Sequence, residues 1–336
     1  MNLKVLTIIT ASIMLLSANV LNAQNKTDDK GRKQGHWVKT AKNGKKISEG
    51  NFKDDYPVDT FYYYDSKGKV AYKNFFTNQG KDSHTILLHT NGVVKAEGDY
   101  INKQKQGLWK YYNEKGKRVT EVTFLNNEKS GEEKVWDDDG KNVIQVTTYR
   151  KGKKEGAFFK SLYSDGYYTC TYMNDKLNGE YKEYFPSKQL RVKGLYKEGM
   201  KQGDWFVYKS SNEVIQKLLY KNDLLIQDII VLHTMDGVKD IPQSDIALIR
   251  PAGKQTQLIR LNGEKMNCVD DFETLLNHIN AEKFYRMDEK GKIYVNIDVL
   301  RGLNADGSVQ TSVDFGFKII PDSDGKQMIY TLFRQD

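Results

Sequence analysis

An aromatic residue returns every twenty-fourth position through more than half of this chain. From Phe52 the series runs Phe76, Tyr100, Phe124, Tyr149 (one residue late), Tyr172, Tyr196 and Tyr220. All eight are rings, although aromatic residues make up only 12% of the sequence. A second series at the same period reads Trp37, Phe61, Thr85, Trp109, Glu133, Phe158, Tyr181 and Trp205, so two copies lack the ring and Trp136 is available to compensate in the fifth. Two residues earlier stand Gly35, Asp59, Ser83, Gly107, Gly131, Gly156, Gly179 and Gly203, and mid-repeat stand Gly44, Gly68, Gly92, Gly116, Gly140 and Gly166. A fixed period of this length marks a stacked repeat architecture, in which one unit cannot bury its apolar face alone.

Each unit predicts a β-hairpin. In Gly107–Lys129, Trp109 and Tyr111 begin a ring-rich strand, Asn113-Glu114-Lys115-Gly116-Lys117 supplies a turn, and Arg118 to Phe124 returns with alternating faces. Asn91-Gly92 and Asp165-Gly166 are hairpin signals in the same slot. A lone hairpin is marginal in water, whereas hairpins side by side share one sheet and pack their rings copy on copy. The expected fold is therefore mainly β: an elongated single-sheet array of eight hairpin repeats over residues 34–226, then a small α+β domain over 228–336. The polar lead at 24–33 is expected to guard one sheet edge.

Gly-Leu-Trp-Lys-Tyr-Tyr-Asn-Glu-Lys-Gly-Lys at Gly107 to Lys117, and Gly-Asp-Trp-Phe-Val-Tyr-Lys at Gly203 to Lys209, resemble the bacterial MORN-type repeat, in the variant found in proteins labelled antitoxin-like. The resemblance covers about residues 31–226. It implies a hairpin array used for attachment to proteins or membranes, without catalytic residues. Asp59 and Ser83 depart from the family glycine and Glu133 from the ring, and those copies are expected to pack less regularly.

The N-terminal residues bear on the compartment. Lys4 precedes an apolar run from Val5 to Leu16, and Ala18 to Ala23 forms a short segment ending at Ala23-Gln24. That order predicts a secretory signal peptide over 1–23, although Leu21 is larger than a cleavage site prefers. The apolar core of about 12 residues falls short of the ~20 a spanning helix needs. The expected location is exported: periplasmic, outer-membrane-associated or extracellular, an antitoxin role being hard to square with export. Net charge is +8, from 52 basic and 44 acidic residues. Spread through turns, such a balance suits a solvated surface or adhesion to a peripheral anionic one, and an exported chain argues against nucleic acid as partner.

After Asn222 the period stops, and the apolar stretch Leu224 to His233 joins the two parts. Ile246–Arg250 and Thr256–Leu261 predict strands. Asp270-Asp271-Phe272-Glu273 predicts a capped helix reaching about Asn280, with Leu275, Leu276 and Ile279 on one face. Alternation predicts strands over Ile293–Val299 and Val309–Phe317, and Met328 to Phe333 a closing strand. This order is weakly similar to the C-terminal domain of TonB energy transducers, on the run Gly291 to Val299 followed by Asp306-Gly307-Ser308-Val309. With five prolines in the whole chain there is no stiff spacer, and a transducer also needs an uncleaved anchor.

Signals of catalysis are weak. His36, His84, His89, His233 and His278 are scattered and read as solvated surface, without the spacing of a zinc site. Asp137-Asp138-Asp139-Gly140 falls in a repeat turn and lacks the later glutamate of a calcium loop. Cys170 and Cys268 are too few for a disulfide framework; Cys170 reads as packing, and Cys268, just before the predicted helix, is the better reactive candidate. No nucleophile elbow, phosphate loop or dinucleotide fingerprint occurs. No cofactor or metal is expected. Trp37, Trp109 and Trp205 read as glue between repeats. Tyr62, Tyr64, Tyr112 and Tyr208 alternate to the other face and are the candidate contact surface. Lys115, Lys117, Lys151, Lys153 and Lys154 read as solubility and edge protection. The expectation is a non-enzymatic scaffold whose partner is a protein or a cell-envelope component. The alternatives are a TonB-like transducer relative and an enzyme with its site in 228–336.

Overall fold

The computed structural model describes residues 25–209, 212–288 and 292–333, in two compact units divided between Lys153 and Lys154. The predicted signal peptide, and Gly291 of the transducer-like run, lie outside the described residues.

The first unit is antiparallel hairpins throughout: Lys33–Thr40 with Lys46–Lys53, Tyr56–Tyr64 with Val70–Thr77, Asp82–Leu88 with Val94–Ile101, Gln104–Tyr112 with Arg118–Leu125, and Glu128–Trp136 with Val143–Arg150. Each hairpin also pairs with the next. The second unit has the same pattern: the strand Lys153–Ser161, whose first residue belongs to the first unit, with Tyr167–Met173, Gly179–Tyr184 with Leu190–Lys197, and Met200–Tyr208 with Val214–Lys221.

Two kinds of turn alternate. Mid-repeat turns close as at Asn113, whose amide donates to Lys117 O while the Gly116 amide returns to Asn113 O. Gly116 sits at φ 74°, a left-handed conformation that glycine adopts without strain. The seventh and eighth copies place Lys188 and Asn212 there instead, both at φ 67°. Between repeats, the two turn residues both take positive φ, as at Asp54-Asp55 and Asn126-Asn127, the geometry of a tight hairpin that Asn and Asp tolerate.

The glycine two before the entry ring makes a bulge. Glu97 pairs with Lys110 and Asp99 with Gln106, so Gly107-Leu108-Trp109 stands opposite Gly98 alone. Asp59 departs from the glycine yet keeps φ 59° and the irregularity opposite Gly50. Ser83 loses both: its strand pairs with Val70–Thr77 in unbroken register, and Thr85 bonds Asn74 Oδ1 across it at 2.9 Å. Of the two departures, only Ser83 changes the backbone.

The polar lead does guard an edge. Lys26–Thr27 pairs with Lys33 and Gln34, and the Asn25 side chain accepts from Val38 N at 2.8 Å and donates to Val38 O at 3.1 Å.

In the second unit, Leu224–Thr234 pairs with the last repeat strand on one side and Gly237–Pro242 on the other, so the apolar joining stretch is a strand. Ile246–Ala252 and Gln255–Arg260 are buried on both faces. Ile246, Ile249 and Leu258 pack with Ile230, Leu232, Leu275 and Phe284, while Ala247, Leu248 and Ile259 pack with Val299, Phe315, Ile319 and Ile329. Burial on both sides explains their continuous apolar runs.

Several expected boundaries change here. The helix covers only Phe272–Leu276, capped by Asp271, whose carboxylate accepts from Thr274 N. The strand expected over Ile293–Val299 is confined to Tyr294–Asn296, because the buried Asn296 side chain accepts from Asp298 N and turns the chain. The strand from Val309 ends at Thr311, before a turn in which Asp314 accepts from Gly316 N. Met328–Phe333 is not a strand but part of a helix, Ser323–Phe333. The Asp322 carboxylate accepts from Gly325 N at its start, and Gly325 and Ile329, one turn apart, face the core.

Candidate functional site: the two faces of the hairpin sheets

One face of each hairpin sheet is used for cohesion. Phe61 sits edge-on between Phe52 (5.1 Å, 85°) and Phe76 (5.4 Å, 82°), and Trp109 between Tyr100 (5.1 Å, 83°) and Phe124 (6.4 Å, 83°). In the second unit, Trp205 sits between Tyr196 (5.1 Å, 89°) and Tyr220 (6.0 Å, 71°). All eight rings of the first series are half-buried, while Trp109 is 0% exposed. Such edge-to-face pairs contribute about 0.5–1.5 kcal/mol each beyond the area they bury. The reading of Trp109 and Trp205 as glue thus agrees with their burial. Trp37, with no preceding ring, donates its indole N–H to Gln34 O and Lys26 O.

Two features of this face escaped the sequence reading. The first is a second small residue, two before the ladder ring. A Cβ on Gly50, Gly98 or Gly194 would stand 2.3, 2.3 and 2.0 Å from the rings of Phe61, Trp109 and Trp205. The signal was there, as Gly-x-ring at Gly50-Asn51-Phe52, Gly98-Asp99-Tyr100 and Gly194-Leu195-Tyr196. In the fifth copy Val122 fills the slot and Glu133 replaces the ring, its carboxylate paired with Lys129 and accepting from the Tyr149 hydroxyl. Trp136 does not compensate: it lies under the Arg118 guanidinium at the repeat position of Tyr64 and Tyr112.

The second is the run Lys-Gln-Gly-x-Trp at 33–37, 105–109 and 201–205. Lys105 Nζ lies 4.1 Å from the Trp109 ring centroid and 5.0 Å from that of Phe124, and Lys33 and Lys201 cover their ring pairs likewise. The Lys105 amide donates to Asn127 Oδ1, the Asn127 amide returns to Lys105 O, and Gln106 Oε1 accepts from the Asn126 amide. Lys33 with Asp55, and Lys201 with Asp223, repeat the clamp. Lys154 lies over Tyr172 at 5.1 Å, so its role is more than solubility.

The other face carries the predicted contact residues. Tyr64, Tyr112 and Tyr208 share one repeat position, at multiples of the period, and Tyr62 lies opposite Glu49 and Lys73. All four are half-buried. The Tyr112 hydroxyl donates to Glu97 Oε1 at 2.7 Å, and the Tyr64 hydroxyl to Glu49. Burial first, and the carboxylate second, push both phenols up to about 12. Lys46 lies over Tyr64 and Lys73 over Tyr62. The face is one of oriented rings, carboxylates that accept from them, and cations laid over them.

The remaining candidates resolve as follows. His36 faces Glu49 at 3.8 Å, His84 pairs with Asp99 at 2.6 Å and His89 with Tyr112 O at 2.9 Å. His233 and His278 are not simple surface residues. His233 pairs with the buried Asp270 carboxylate, which also holds Lys209, and burial lowers the pKa of His278. Asp137 is a turn residue, its carboxylate accepting from Lys141 N and Asn142 N. Cys170 and Cys268 are free and buried, and burial pushes both thiols up to about 11. Cys268 is therefore not activated: it precedes the helix cap and lies beside Asp270, which raises it further. Among the described residues no group of three His, Cys, Asp or Glu is placed to hold a metal, and no helix is long and apolar enough to cross a membrane.

Comparison with known proteins places this geometry. The family model described as MORN repeat variant matches residues 105–126 and 177–198, so the chain carries MORN-type repeats. No curated protein matches. Among solved structures, the LytTr DNA-binding domain of a putative methyl-accepting/DNA response regulator from Bacillus cereus is similar at 15% identity and TM-score 0.26, over 32% of this chain and 97% of that one. A structure titled TcdB2-TccC3-Cdc42 is similar at 11% identity and TM-score 0.17, over 71% of this chain and 14% of that one. At such TM-scores neither likeness carries an argument.

Proposed function

We propose that the chain is an exported, non-catalytic scaffold that binds a protein or another cell-envelope component through the tyrosine face of its hairpin sheets. The observation that supports this most is the recurrence of Tyr64, Tyr112 and Tyr208 at one repeat position, away from the rings that hold the repeats together. Rings already fixed by a carboxylate, as Tyr112 is by Glu97, lose little freedom on binding. MORN-type repeats are in general protein- or membrane-binding, which agrees with this reading. A photoreactive phenylalanine analogue at position 112 or 208 of the full chain, in intact cells, is expected to capture a discrete partner. The same analogue at Tyr330, exposed on the last helix, is expected to capture none. Equal capture at all three positions, or capture only at 330, would refute the assignment of this face. Export is tested separately: the N-terminus of the purified protein should be Gln24, whereas retained residues 1–23 would favour the transducer alternative.

A further inference from the structure

The second unit holds an open cavity of about 490 Å³. Its apolar wall is Leu225, Ile226 and Pro242, and its polar floor includes Asp228, Gln243 and Asn296. We propose that this cavity binds an aliphatic primary ammonium, with the Asp228 carboxylate as counter-ion and the apolar wall against the methylenes. The site lies apart from the tyrosine face and does not depend on the scaffold reading.

Asp228 is half-buried, and one of its oxygens accepts from Gln216 Nε2 at 2.8 Å. No Lys, Arg or His pairs with it among the described residues. A carboxylate withdrawn from water and held only by neutral amides is costly, and a cation relieves that cost. Burial accordingly raises the pKa of Asp228. The lining cation, Lys283, is already paired with Asp298 at 2.8 Å, so that pair leaves the charge of Asp228 unbalanced.

The floor is pre-organised. Gln243 is 6% exposed, donates to His278 O at 2.8 Å and accepts from Asn280 N at 2.8 Å. Asn296 is fixed in the same way, by Ile246 O and Asp298 N. The wall is apolar where a strand in water would be polar: Leu224, Leu225 and Ile226 are consecutive and 66, 42 and 51% exposed. Ile226 is the extra residue of a bulge, since Leu219 pairs with Gln227 and Tyr220 with Leu225. An anion would meet Asp228 and Asp298. A guanidinium fork takes both oxygens of one carboxylate, and one oxygen of Asp228 already accepts from Gln216. A single ammonium on an aliphatic stem matches both halves of the lining, in a cavity of the size small ligands use.

The ammonium has two possible sources, a free alkylamine or a partner's lysine side chain. Calorimetric titration of the full chain with n-pentylamine, n-pentanol and acetyl-Gly-Lys-Gly-amide separates them. Pentylamine should bind saturably and pentanol should not. Asp228→Asn, nearly isosteric, should weaken pentylamine by at least about tenfold. Ile226→Lys, at an exposed position, should place a tethered ammonium beside Asp228 and abolish pentylamine binding whether or not Asp228→Asn folds. Lysine-peptide affinity equal to that of pentylamine assigns the site to a side chain, and binding of pentylamine alone assigns it to a free amine. Equal binding of pentanol, no binding of pentylamine, or pentylamine binding that survives Ile226→Lys would overturn the proposal.

Discussion

Gly98→Ala tests how the repeats cohere. Gly98 is buried and its φ is not positive, so its backbone accepts alanine. In an unconstrained strand the change would reduce unfolded-state entropy and stabilise by about 0.4–1 kcal/mol. Here the new Cβ would stand 2.3 Å from the Trp109 ring, more than an ångström inside ordinary contact. The ring is edge-on to Tyr100 and Phe124 and covered by Lys105, so it cannot withdraw without losing those contacts. Overpacking of this kind costs about 1–3 kcal/mol. Trp109→Ala alone should cost about 3–5 kcal/mol, the range for truncating a buried aromatic. In the Trp109→Ala background the clash is gone, and Gly98→Ala should be neutral or stabilising by about 0.5 kcal/mol. The two sites should therefore show a coupling of about 1–3.5 kcal/mol in a double-mutant cycle. Urea unfolding of the four proteins, followed by circular dichroism with hydrogen exchange over 94–125, measures it. If Gly98→Ala costs the same with and without Trp109, the glycine is not there to admit the ring. The fifth copy, with Val122 and Glu133, is the chain's own version of the relieved pair.

Three further outcomes follow from the geometry. Asn127→Ala should destabilise by about 1–3 kcal/mol, because the Lys105 amide loses its side-chain acceptor and alanine is strained at the φ of 70° that asparagine tolerates, while the Asn127 backbone bond remains. The Tyr112 phenol should titrate near 12 by tyrosinate absorbance, and Glu97→Gln should bring it down. Since the fold raises this pKa, its contribution to stability is complete below the ordinary phenol value of about 10 and is lost as pH rises through 12. Cys170 and Cys268, with thiols pushed up to about 11, should react with a disulfide reagent at pH 8 only after unfolding; fast reaction of the folded protein would contradict their burial.

What was legible in the sequence follows from how each feature is encoded. Phe52, Phe76, Tyr100 and Phe124 recur because each fills the same slot, so counting alone finds them. The faces of Trp109 and Tyr112 follow from strand alternation. Gly98 was passed over because a glycine in a strand signals flexibility as readily as a ring above it. The lysine lids were missed because a Lys beside a turn is equally well solvated, and only coordinates bring Lys105 onto two rings. Near the C-terminus Met328–Phe333 is a short apolar run, which periodicity alone cannot assign; Asp322, six residues earlier, caps the helix that decides it. Asp228 carries no motif at all, since its exceptional property is the absence of a charge partner among the described residues.

Hydrogen exchange at the inter-repeat turns tests most directly whether successive hairpins within each unit hold one another. The amides of Asp55, Asn127, Asp175 and Asp223 bond back to the carbonyls of Lys33, Lys105, Lys154 and Lys201. All four should be protected to a similar degree, well beyond the mid-repeat turn residue Glu114. Exchange of these four amides at the rate of an unstructured chain would mean that the hairpins do not hold one another.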